Sequence, residues 1–354
     1  MRVLEIVADG SPGGGTTHVL QILKGLHDFA SFELVAQAGS HLLQQAQELG
    51  VSCHGLDFFH SRLNPIIPIQ LRRICSSIQP HVVHIHGGRA GFFYSMAYKD
   101  LPTLYTVHGF HFLHKPLVLR WLALQVERFI FHRARRIIFV SQHDVALARN
   151  LGLLQKGKPH ELIYNGIAFH DIPPSDCLRL RHIGFIGRLE PQKDPILFLD
   201  TLGQLPEYSA TIVGTGSLNA LVRKEIRRRG LTKRVRMLGA LSQSETLKVI
   251  SMLSVVVLSS RWEGLPLTAL ESMRMGVPVV GMNVSGMSEI IENGKDGVLI
   301  NQRSGESLAN GVKRVTEDFS LRASIIQNAR SKIKEKFSEE QMLRSLRRVY
   351  QGIQ

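Results

Sequence analysis

The chain has 354 residues, 44% of them hydrophobic and 20% charged. It is therefore long enough for two globular domains, and its composition excludes disordered and fibrous proteins. Lysine and arginine outnumber aspartate and glutamate by 43 to 29, a formal net charge of +14, which favours anionic partners such as a nucleotide, a nucleic acid or an acidic membrane surface. Cys53, Cys75 and Cys177 lack metal-site spacing, so we expect no disulfide framework and a reducing compartment.

The sequence offers no membrane-spanning or secretory signal. Its apolar runs fall well short of the ~20 residues that cross a bilayer, and the stretch SVVVLSS at 254–260 is predicted to be a buried strand. The start, MRVLEIVADG, does not have the shape of a cleavable signal. We therefore expect a cytoplasmic protein.

Short β-branched runs alternate with amphipathic segments along the chain, a pattern typical of parallel strands joined by helices. Representative helices are predicted at 17–26 and 40–49. Predicted strands of the first half lie at 3–8, 33–38, 81–86, 103–108 and 136–141.

The alternation pauses at 169–181, a proline-containing stretch that we interpret as a linker, and restarts with strands at 182–187, 210–214, 235–239, 255–260 and 277–281. The pattern predicts an α/β fold with two doubly wound domains, at 1–168 and 182–336. The charged helical end, 337–354, is predicted to pack back on the first domain. Because open sheets of this kind bind ligands at the carboxyl ends of their strands, function is expected in the cleft between the domains.

The strongest motif is RWEGLPLTALESMRMG at 261–276, directly after a predicted strand. Pro266 suits a helix start, so Glu263 is expected in the loop and Glu271 about one turn inside the helix. A carboxylate can accept hydrogen bonds from two sugar hydroxyls, and free N–H groups at a helix start suit a phosphate. Two solvated glutamates would fit the same spacing, so the motif alone leaves both interpretations open.

A second motif, GRLEPQKD at 187–194, also follows a strand. Arg188 can bind two phosphate oxygens at once, and Lys193 supplies a mobile point charge. Two fixed cations would stabilise the charge that builds on a departing diphosphate without a metal. Ordinary surface charges are the alternative, but they would not need this placement at a strand end.

Two glycine-rich turns carry weaker signals. The segment SPGGGTTHV, beginning at Ser11, lets the backbone approach an anion or a sugar at a helix start, although a plain tight turn also fits. The segment GTGSLN at 214–219 has two glycines of the dinucleotide fingerprint but Asn219 in place of the third, which disfavours NAD binding.

Histidines cluster in two stretches, 81–86 and 108–114. His84 and His86 share one face of a predicted strand, which is compatible with a metal site, but no H-E-x-x-H motif or cysteine-containing ligand set accompanies them. His108 ends a strand and is a candidate hydrogen-bond donor to a substrate, with a structural histidine as the alternative. The sequence has no Asp-x-Asp, so no metal is predicted.

The segment 115–136 combines aromatic and basic side chains, with Glu127 the sole acidic residue. Such a helix can lie on an anionic membrane surface, and an ordinary sheet-packing helix with solvated arginines is the alternative. A second basic run, 223–236, is predicted to be a solvated helix face. Because no known nucleic-acid-binding motif accompanies this basic run, nucleic acid is not expected as a partner.

This combination of motifs resembles the family 4 retaining glycosyltransferases, whose GT-B fold sets two Rossmann-like domains across a cleft. The resemblance covers nearly the whole chain, including HVVHIHGGRAG, TVHGF, YNGI, GFIGRLEPQKD, VGTGS, EGLPLTALESMRMGVPVV and SGMSEIIENGKDGVLI. The HGFHF stretch and the neighbouring basic segment look like bacterial enzymes that extend lipid-linked or envelope glycans.

The resemblance implies a role for each matching residue. Arg188 and Lys193 would hold the donor diphosphate, Glu271 the nucleotide ribose, and Glu263 the hydroxyls of the transferred sugar. His108 would contact that sugar near the reacting carbon. The remaining implied donor contacts are backbone groups of Gly14, Gly15, Gly264, Leu267 and Thr268. The sequence departs from the family pattern at two places. Ser285-Gly286 replaces the commoner Gly-Gly, and Pro266 occupies a position where the family frequently has glycine.

The implied activity is the transfer of a hexose-type sugar from a UDP- or GDP-sugar to a glycan or lipid-linked saccharide, with retention and without an essential metal. The implied setting is bacterial envelope polysaccharide synthesis, in the cytoplasm or at the inner face of the cytoplasmic membrane. A GT-B-fold sugar-nucleotide epimerase is the main alternative. An NAD(P)-dependent oxidoreductase is disfavoured because the dinucleotide-binding fingerprint at 214–219 is incomplete. A noncatalytic glycan-binding protein would require that the residues at the strand ends have no catalytic role.

Overall fold

The computed structural model describes residues 1–60, 64–98, 100–114, 116–168 and 181–353. They form two compact units: Met1–Gly166 with the C-terminal segment from Glu339, and Ile167–Ser338. The predicted linker, 169–181, lies outside the described residues except for Arg181, as do Cys177 and Lys115.

The first unit is built on a parallel sheet that has seven strands within the described ranges, in the order β3-β2-β1-β4-β5-β6-β7. The strands are β1 (Arg2–Val7), β2 (Ser31–Gln37), β3 (Ser52–Leu56), β4 (Val82–His86), β5 (Thr103–Val107), β6 (Arg136–Phe139) and β7 (His160–Leu162). The helices that connect them are α1 (Gly14–Gly25), α2 (His41–Glu48), α3 (Ile66–Ile78), α4 (Gly88–Ala97), α5 (Leu117–Arg133) and α6 (Gln142–Asn150), with a 3-10 turn at His111–His114.

Local sequence sets the helix ends. Ser40 caps α2 by accepting a hydrogen bond from the Leu43 N–H, and Gly50 follows the helix with φ +77°, a conformation that favours glycine. The helices predicted at 17–26 and 40–49 are observed with slightly different bounds. The prediction missed β3 because its sequence, SCHGL, is short and only partly buried.

The second unit has six parallel strands in the portion that the structure describes, in the order β10-β9-β8-β11-β12-β13. They are β8 (His182–Ile186), β9 (Ser209–Val213), β10 (Val235–Gly239), β11 (Val255–Leu258), β12 (Val279–Met282) and β13 (Val298–Ile300). Its helices are α7 (Pro195–Gly203), α8 (Asn219–Arg228), α9 (Gln243–Ser251), α10 (Leu267–Arg274), α11 (Met287–Ile290), α12 (Gly305–Glu317) and α13 (Phe319–Lys336).

The last helix, α14 (Glu339–Gln351), returns to the first unit. Its side chains Met342, Leu346 and Tyr350 are buried in the same apolar cluster as Val19 and Ile22 of α1. The structure thus confirms two doubly wound sheets and the returning C-terminal helix. Among the described residues, no helix combines the length and the apolar character needed to cross a membrane.

Candidate functional site

The two strongest motifs meet at one edge of the second sheet. Strands β8 and β11 are parallel neighbours, so the loops that leave their carboxyl ends lie side by side. The Arg261 N–H donates to the Gln192 carbonyl at 2.7 Å, and the Ser259 hydroxyl lies 2.9 Å from the carbonyls of both Lys193 and Asp194. The loops 187–194 and 259–266 therefore form a single site.

Lys193 and Glu263 contact each other within this site. The Lys193 ammonium lies 2.6 Å from Oε1 of Glu263, and the Ser260 hydroxyl donates to the same oxygen at 2.5 Å. The Glu263 side chain is 4% exposed and that of Lys193 is 16% exposed. A buried carboxylate requires such partners, because an unpaired charge away from water costs several kcal/mol.

Arg188 is exposed at the start of its loop. Its neighbour Glu190 accepts hydrogen bonds from the side chain and the N–H of Ser217, which keep the pKa of Glu190 below its usual range. A Cβ on Gly214 would lie 2.0 Å from the Gly187 carbonyl oxygen. This glycine of the GTGSLN segment is thus required because the loop packs against the backbone of the Arg188 loop.

Helix α10 begins at Leu267 and places its first turn beside the Glu263 loop. The N–H groups of Ala269 and Leu270 both donate to the Pro266 carbonyl. Those of Leu267 and Thr268 occupy the first two positions of the helix, where backbone N–H groups lack an intrahelical acceptor. The helix start can therefore present these two donors to an anion.

Glu271 lies inside α10, as predicted, and is buried. Burial raises the pKa of Glu271 to about 7, and the opposing effects of a hydrogen bond from Gln243 and the charge of Arg274 are smaller. The Gln243 amide lies 3.3 Å from Oε1 of Glu271. At neutral pH this side chain therefore exists in both protonation states.

Sequence reasoning missed two residues that hold the site together. Asp194 caps α7 through the Leu197 N–H and adopts φ +46°. Its Oδ2 lies 2.7 Å from Nη2 of Arg303 and 2.9 Å from Nη2 of Arg261. The Asp-Pro pair at 194–195 is a recognisable helix-start signal, whereas Arg303 is isolated in the sequence and carries none.

The Ser285-Gly286 departure has a structural consequence. Ser285 adopts φ +37°, a left-handed conformation that is unfavourable for a side chain with a Cβ. A Cβ on Gly286 would lie 1.7 Å from the carbonyl oxygen of Gly264. Glycine is therefore required at 286, where the backbone packs on the Glu263 loop, while position 285 tolerates serine at a conformational cost.

In the first unit, Gly14 and Gly15 form the start of α1. An added Cβ at Gly15 would meet nothing within 4 Å among the described residues. Packing within this part of the chain therefore does not require glycine at 15, in contrast to 286.

His108 follows β5, is half-buried, and contacts a cluster of buried polar side chains. Its Nε2 lies 3.1 Å from Nδ1 of His86, whose Nε2 lies 2.7 Å from Oε2 of Glu5. His18, on α1, packs edge-on against His108 with ring centroids 5.1 Å apart. Burial lowers the pKa of His18 well below its usual value and that of His86 to about 4, so both rings are neutral at pH 7.

Two groups among the described residues have the donor atoms for a metal ion: His18 with His86 and His108, and Glu5 with His84 and His86. In each group the ligand atoms lie within 4.8 Å of one another. The sequence indicated His84 and His86 but not Glu5 or His18, since an isolated glutamate in a strand and a histidine in a helix carry no metal-site spacing. The side chains of His111 and His114 lie outside the described part.

The two basic segments are both exposed, but they differ in the side chains that they present. Residues 116–122, at the start of α5, are all exposed. In α8, by contrast, Arg228 pairs with Glu225 of the same helix, and so does Arg229, the residue that follows the helix. The start of α5 exposes several large apolar side chains, among them Leu117, Val118 and Trp121, whereas α8 exposes Leu221.

Two family models match this chain: "Glycosyl transferase 4-like domain" over residues 13–166 and "Glycosyl transferases group 1" over residues 179–332. The chain is therefore a glycosyltransferase with a 4-like domain in its first unit and a group 1 domain in its second. The family resemblance seen in the sequence is thereby confirmed.

Among curated relatives, the chain is 28% identical over 309 residues to the UDP-Gal:alpha-D-GlcNAc-diphosphoundecaprenol alpha-1,3-galactosyltransferase of Escherichia coli, covering 80% of this chain and 78% of the relative. It is also 26% identical over 275 residues to the alpha-D-kanosaminyltransferase of Streptomyces kanamyceticus, covering 70% and 71%. The Anabaena Alr3699/HepE structure in complex with UDP and glucose matches with a TM-score of 0.86 and 21% identity, over 99% of this chain and 100% of that one. This structural likeness confirms the fold of this glycosyltransferase as GT-B.

Proposed function

We propose that this glycosyltransferase moves a hexose-type sugar from a UDP- or GDP-sugar to a glycan or lipid-linked saccharide, with retention of the anomeric configuration. The observation that carries the proposal is the convergence of Arg188, Lys193, Glu263 and the start of α10 at adjoining strand ends. The E. coli relative, whose name specifies a UDP-sugar donor and a diphosphoundecaprenol-linked acceptor, supports these substrate classes.

The donor diphosphate would bind where positive charge and free N–H groups coincide. Lys193 and Arg188 supply the charges, and Leu267 and Thr268 supply backbone donors at the helix start. Glu263, already positioned by Lys193 and Ser260, would accept hydrogen bonds from hydroxyls of the transferred sugar. Glu271 would accept those of the ribose, with Gly264 in the same loop and Gly14 and Gly15 between donor and acceptor.

In the proposed reaction the bond between the sugar C1 and the β-phosphate oxygen breaks while the acceptor oxygen bonds to C1 on the same face. The departing phosphate oxygen takes the acceptor's proton. Lys193 and Arg188 stabilise the negative charge that develops on the leaving group, which is the main contribution of fixed charges in such a site. His108 contacts the sugar near C1. No metal is needed in this scheme, and we expect transfer to survive treatment with a chelator.

We further propose that the start of α5 contacts an anionic membrane surface, which would bring the enzyme to a lipid-linked acceptor at the cytoplasmic face. Leu117 is 81% exposed, Val118 72% and Trp121 59%. Ile66 and Ile69, at the start of α3, are also exposed. Helices that follow strands of a parallel sheet begin at its carboxyl edge, so the two helix starts lie at the same edge. Arg120 and Arg128 are exposed on α5 and would add attraction to anionic lipid.

The proposed transfer is tested by incubating the protein with a panel of nucleotide sugars, first by thermal shift and then with a lipid-linked saccharide acceptor. A donor that binds only the folded state raises the melting temperature. Release of UDP or GDP that depends on the acceptor, with a product whose anomeric configuration matches the donor, would support the proposal. Conversion of one nucleotide sugar into another without an acceptor would instead indicate an epimerase.

A further inference from the structure

Two neighbouring serines hold the Lys193–Glu263 pair in place. Ser259 and Ser260 directly follow β11 and are buried. The Ser259 hydroxyl shares its proton between the carbonyls of Lys193 and Asp194, each 2.9 Å away, which fixes the backbone that carries the Lys193 side chain. The Ser260 hydroxyl donates to Oε1 of Glu263, the oxygen that also contacts the Lys193 ammonium. The positions of both members of the pair therefore depend on the backbone of these two serines.

Arg303 binds the backbone of both serines. It lies in the loop between β13 and α12, immediately before Ser304, which caps α12. Its Nη1 donates to the Ser260 carbonyl at 3.0 Å, and its Nη2 donates to the Ser259 carbonyl at 2.9 Å. Carbonyls of buried residues that follow the end of a strand need donors from outside the strand ladder. The two terminal nitrogens of one guanidinium supply them here.

The same guanidinium also reaches the loop 187–194. Nη2 of Arg303 lies 2.7 Å from Oδ2 of Asp194, while Oδ1 caps α7 by accepting from the Leu197 N–H. Asp194 has a left-handed φ of +46°, a conformation that a residue with a Cβ keeps when its surroundings fix it. Arg303 thus joins its own loop to the loops 187–194 and 259–266.

Two arginines share this carboxylate oxygen of Asp194, but they differ in what they can hold. Arg261 belongs to the loop 259–266 itself, and its side chain is 54% exposed. The side chain of Arg303 is 32% exposed and comes from a separate strand end, so it can hold the two site loops against each other. A lysine would not replace Arg303, because an ammonium presents its donors from one atom, whereas the three acceptors are spread over two guanidinium nitrogens.

We propose that Arg303 is a positioning residue for glycosyl transfer: through the three acceptors that it binds, it sets Lys193 and Glu263 in contact before the donor arrives. This inference rests on the proposed roles of these two side chains at the donor diphosphate and the transferred sugar. An ammonium that is already in place stabilises charge on the leaving group without moving during the reaction. Loss of Arg303 should therefore lower kcat, while the ribose contact of Glu271, on α10, keeps the donor bound.

The positioning can be measured without any activity. The coupling free energy of Lys193→Ala and Glu263→Ala, from a double-mutant cycle in urea unfolding, reports how well this pair is held together. In an Arg303→Lys background we expect the coupling to fall below about half of its wild-type value. Unchanged coupling in that background would overturn the proposal. A wild type that shows no coupling would also overturn it, since there would then be no preset pair.

The chain provides a matched control in Arg234. This residue also lies in the second unit, and its guanidinium donates to three backbone carbonyls, those of Leu202, Leu205 and Tyr208. It directly precedes β10, at the amino edge of the sheet, whereas the site lies at the carboxyl edge. Arg234→Lys should therefore lower stability but leave kcat and the Lys193–Glu263 coupling unchanged. An equal fall of the coupling in both backgrounds would contradict the proposal, because it would reflect a general weakening of the unit.

Asp194→Asn supplies a second variant in case Arg303→Lys does not fold. It keeps an oxygen for the α7 cap and removes the charge that Arg303 binds. We expect a smaller decrease of the same coupling, and its absence would count against the proposal. Asp318→Asn is the control, because Asp318 caps α13 through the Leu321 N–H at 2.9 Å and has no contact with Lys193 or Glu263 among the described residues.

Activity supplies the second readout. A displacement of about 1 Å at a reacting group can cost about 100-fold, and we expect kcat of Arg303→Lys to fall by about 10- to 100-fold with the donor KM within about threefold. A merely structural role would lower stability and leave kcat of the folded protein near the wild-type value, which would refute the proposal. If the wild type turns over no donor, the proposed transfer fails, while the coupling still decides whether Arg303 positions the pair.

Discussion

The ammonium of Lys193 lies 2.6 Å from Oε1 of Glu263, although 70 residues separate them in the sequence. The family resemblance implies that these two side chains bind different parts of the donor, Lys193 the diphosphate and Glu263 the sugar. Their direct contact means that each holds the other in place before a donor arrives. A change at either residue will therefore affect both.

Lys193→Ala should lower kcat by about 10² to 10³, the usual cost of losing one fixed stabiliser of developing charge. It should also lower stability, because Glu263 would remain buried without its cation. A double-mutant cycle with Glu263→Ala, followed by urea unfolding, measures the coupling, which we expect to exceed about 1 kcal/mol. Near-normal turnover at saturating donor would show that Lys193 is not at the leaving group. If the effects of the two substitutions on the free energy of unfolding are additive, the ion pair does not contribute to stability.

Much of this site follows from the sequence because parallel strands end at one edge of a sheet. The runs that form β8 and β11 are strongly apolar, so the positions of the Lys193 and Glu263 motifs at strand ends could be predicted. Pro266 also predicts where α10 begins, and therefore that Glu271 lies inside this helix.

The rest depends on tertiary contacts that no local pattern records. Arg303 reaches Asp194 from 109 residues away, and Glu5 becomes the centre of a polar network only when β4 and α14 pack beside β1. Strand β3 was missed because its residues are partly exposed and include Gly55, so neither alternation nor a continuous apolar run marks it.

The affinity for a nucleotide sugar should depend on pH through Glu271, whose pKa is raised to about 7 by burial. Ribose hydroxyls donate to the carboxylate, so below pH 7 the acid must lose its proton for the donor to bind. We expect the donor Kd to rise by up to about tenfold per unit of pH decrease below 7 and to level off above it. A nucleotide sugar, unlike free UDP, has no phosphate group that titrates in this range. Calorimetry on Glu271→Gln should show weaker binding with this pH dependence removed, and an identical profile in the variant would exclude Glu271 as its source.

The stability of the first unit should decrease as pH rises toward 7 because of Glu127. Burial raises the pKa of Glu127 to about 7 from an ordinary 4.5, despite the hydrogen bond from Tyr105. The folded state therefore holds this proton more tightly than the unfolded state, and the stabilisation is present below pH 4.5 and lost as pH rises through 7. Glu127→Gln keeps an acceptor for Tyr105 and removes the titration. We expect it to stabilise the protein at pH 8 by about 3 kcal/mol at most and to have little effect at pH 4.5, measured by urea unfolding. An equal difference at both pH values would contradict the assignment.

Two glycine-to-alanine substitutions should differ in their effect on stability. Gly286→Ala places a Cβ 1.7 Å from the Gly264 carbonyl oxygen, so the loop that carries Glu263 must shift and the melting temperature should fall. Gly15→Ala meets nothing within 4 Å among the described residues and lies in a helix, where alanine is favoured by about 0.5 to 1 kcal/mol. It should leave the melting temperature unchanged or raised while reducing transfer, if Gly15 lies between donor and acceptor. Normal transfer by Gly15→Ala would remove Gly15 from the site, and a stable Gly286→Ala would show that the loop is not packed as described.

Membrane contact through α5 should depend on both its apolar side chains and anionic lipid. Replacing Leu117, Val118 and Trp121 by serine removes side chains that are 81%, 72% and 59% exposed, so the fold should be retained. Burying one such side chain in lipid contributes about 1.5 to 3 kcal/mol, and we expect the triple variant to bind phosphatidylglycerol vesicles at least about tenfold more weakly. Leu221→Ser is the matched control, because Leu221 is an exposed residue of the basic helix α8. Co-sedimentation with phosphatidylcholine vesicles separates the electrostatic contribution, since these carry no net charge. If the wild type does not bind anionic vesicles, or if Leu221→Ser weakens binding as much as the triple variant does, then α5 is not the contact surface.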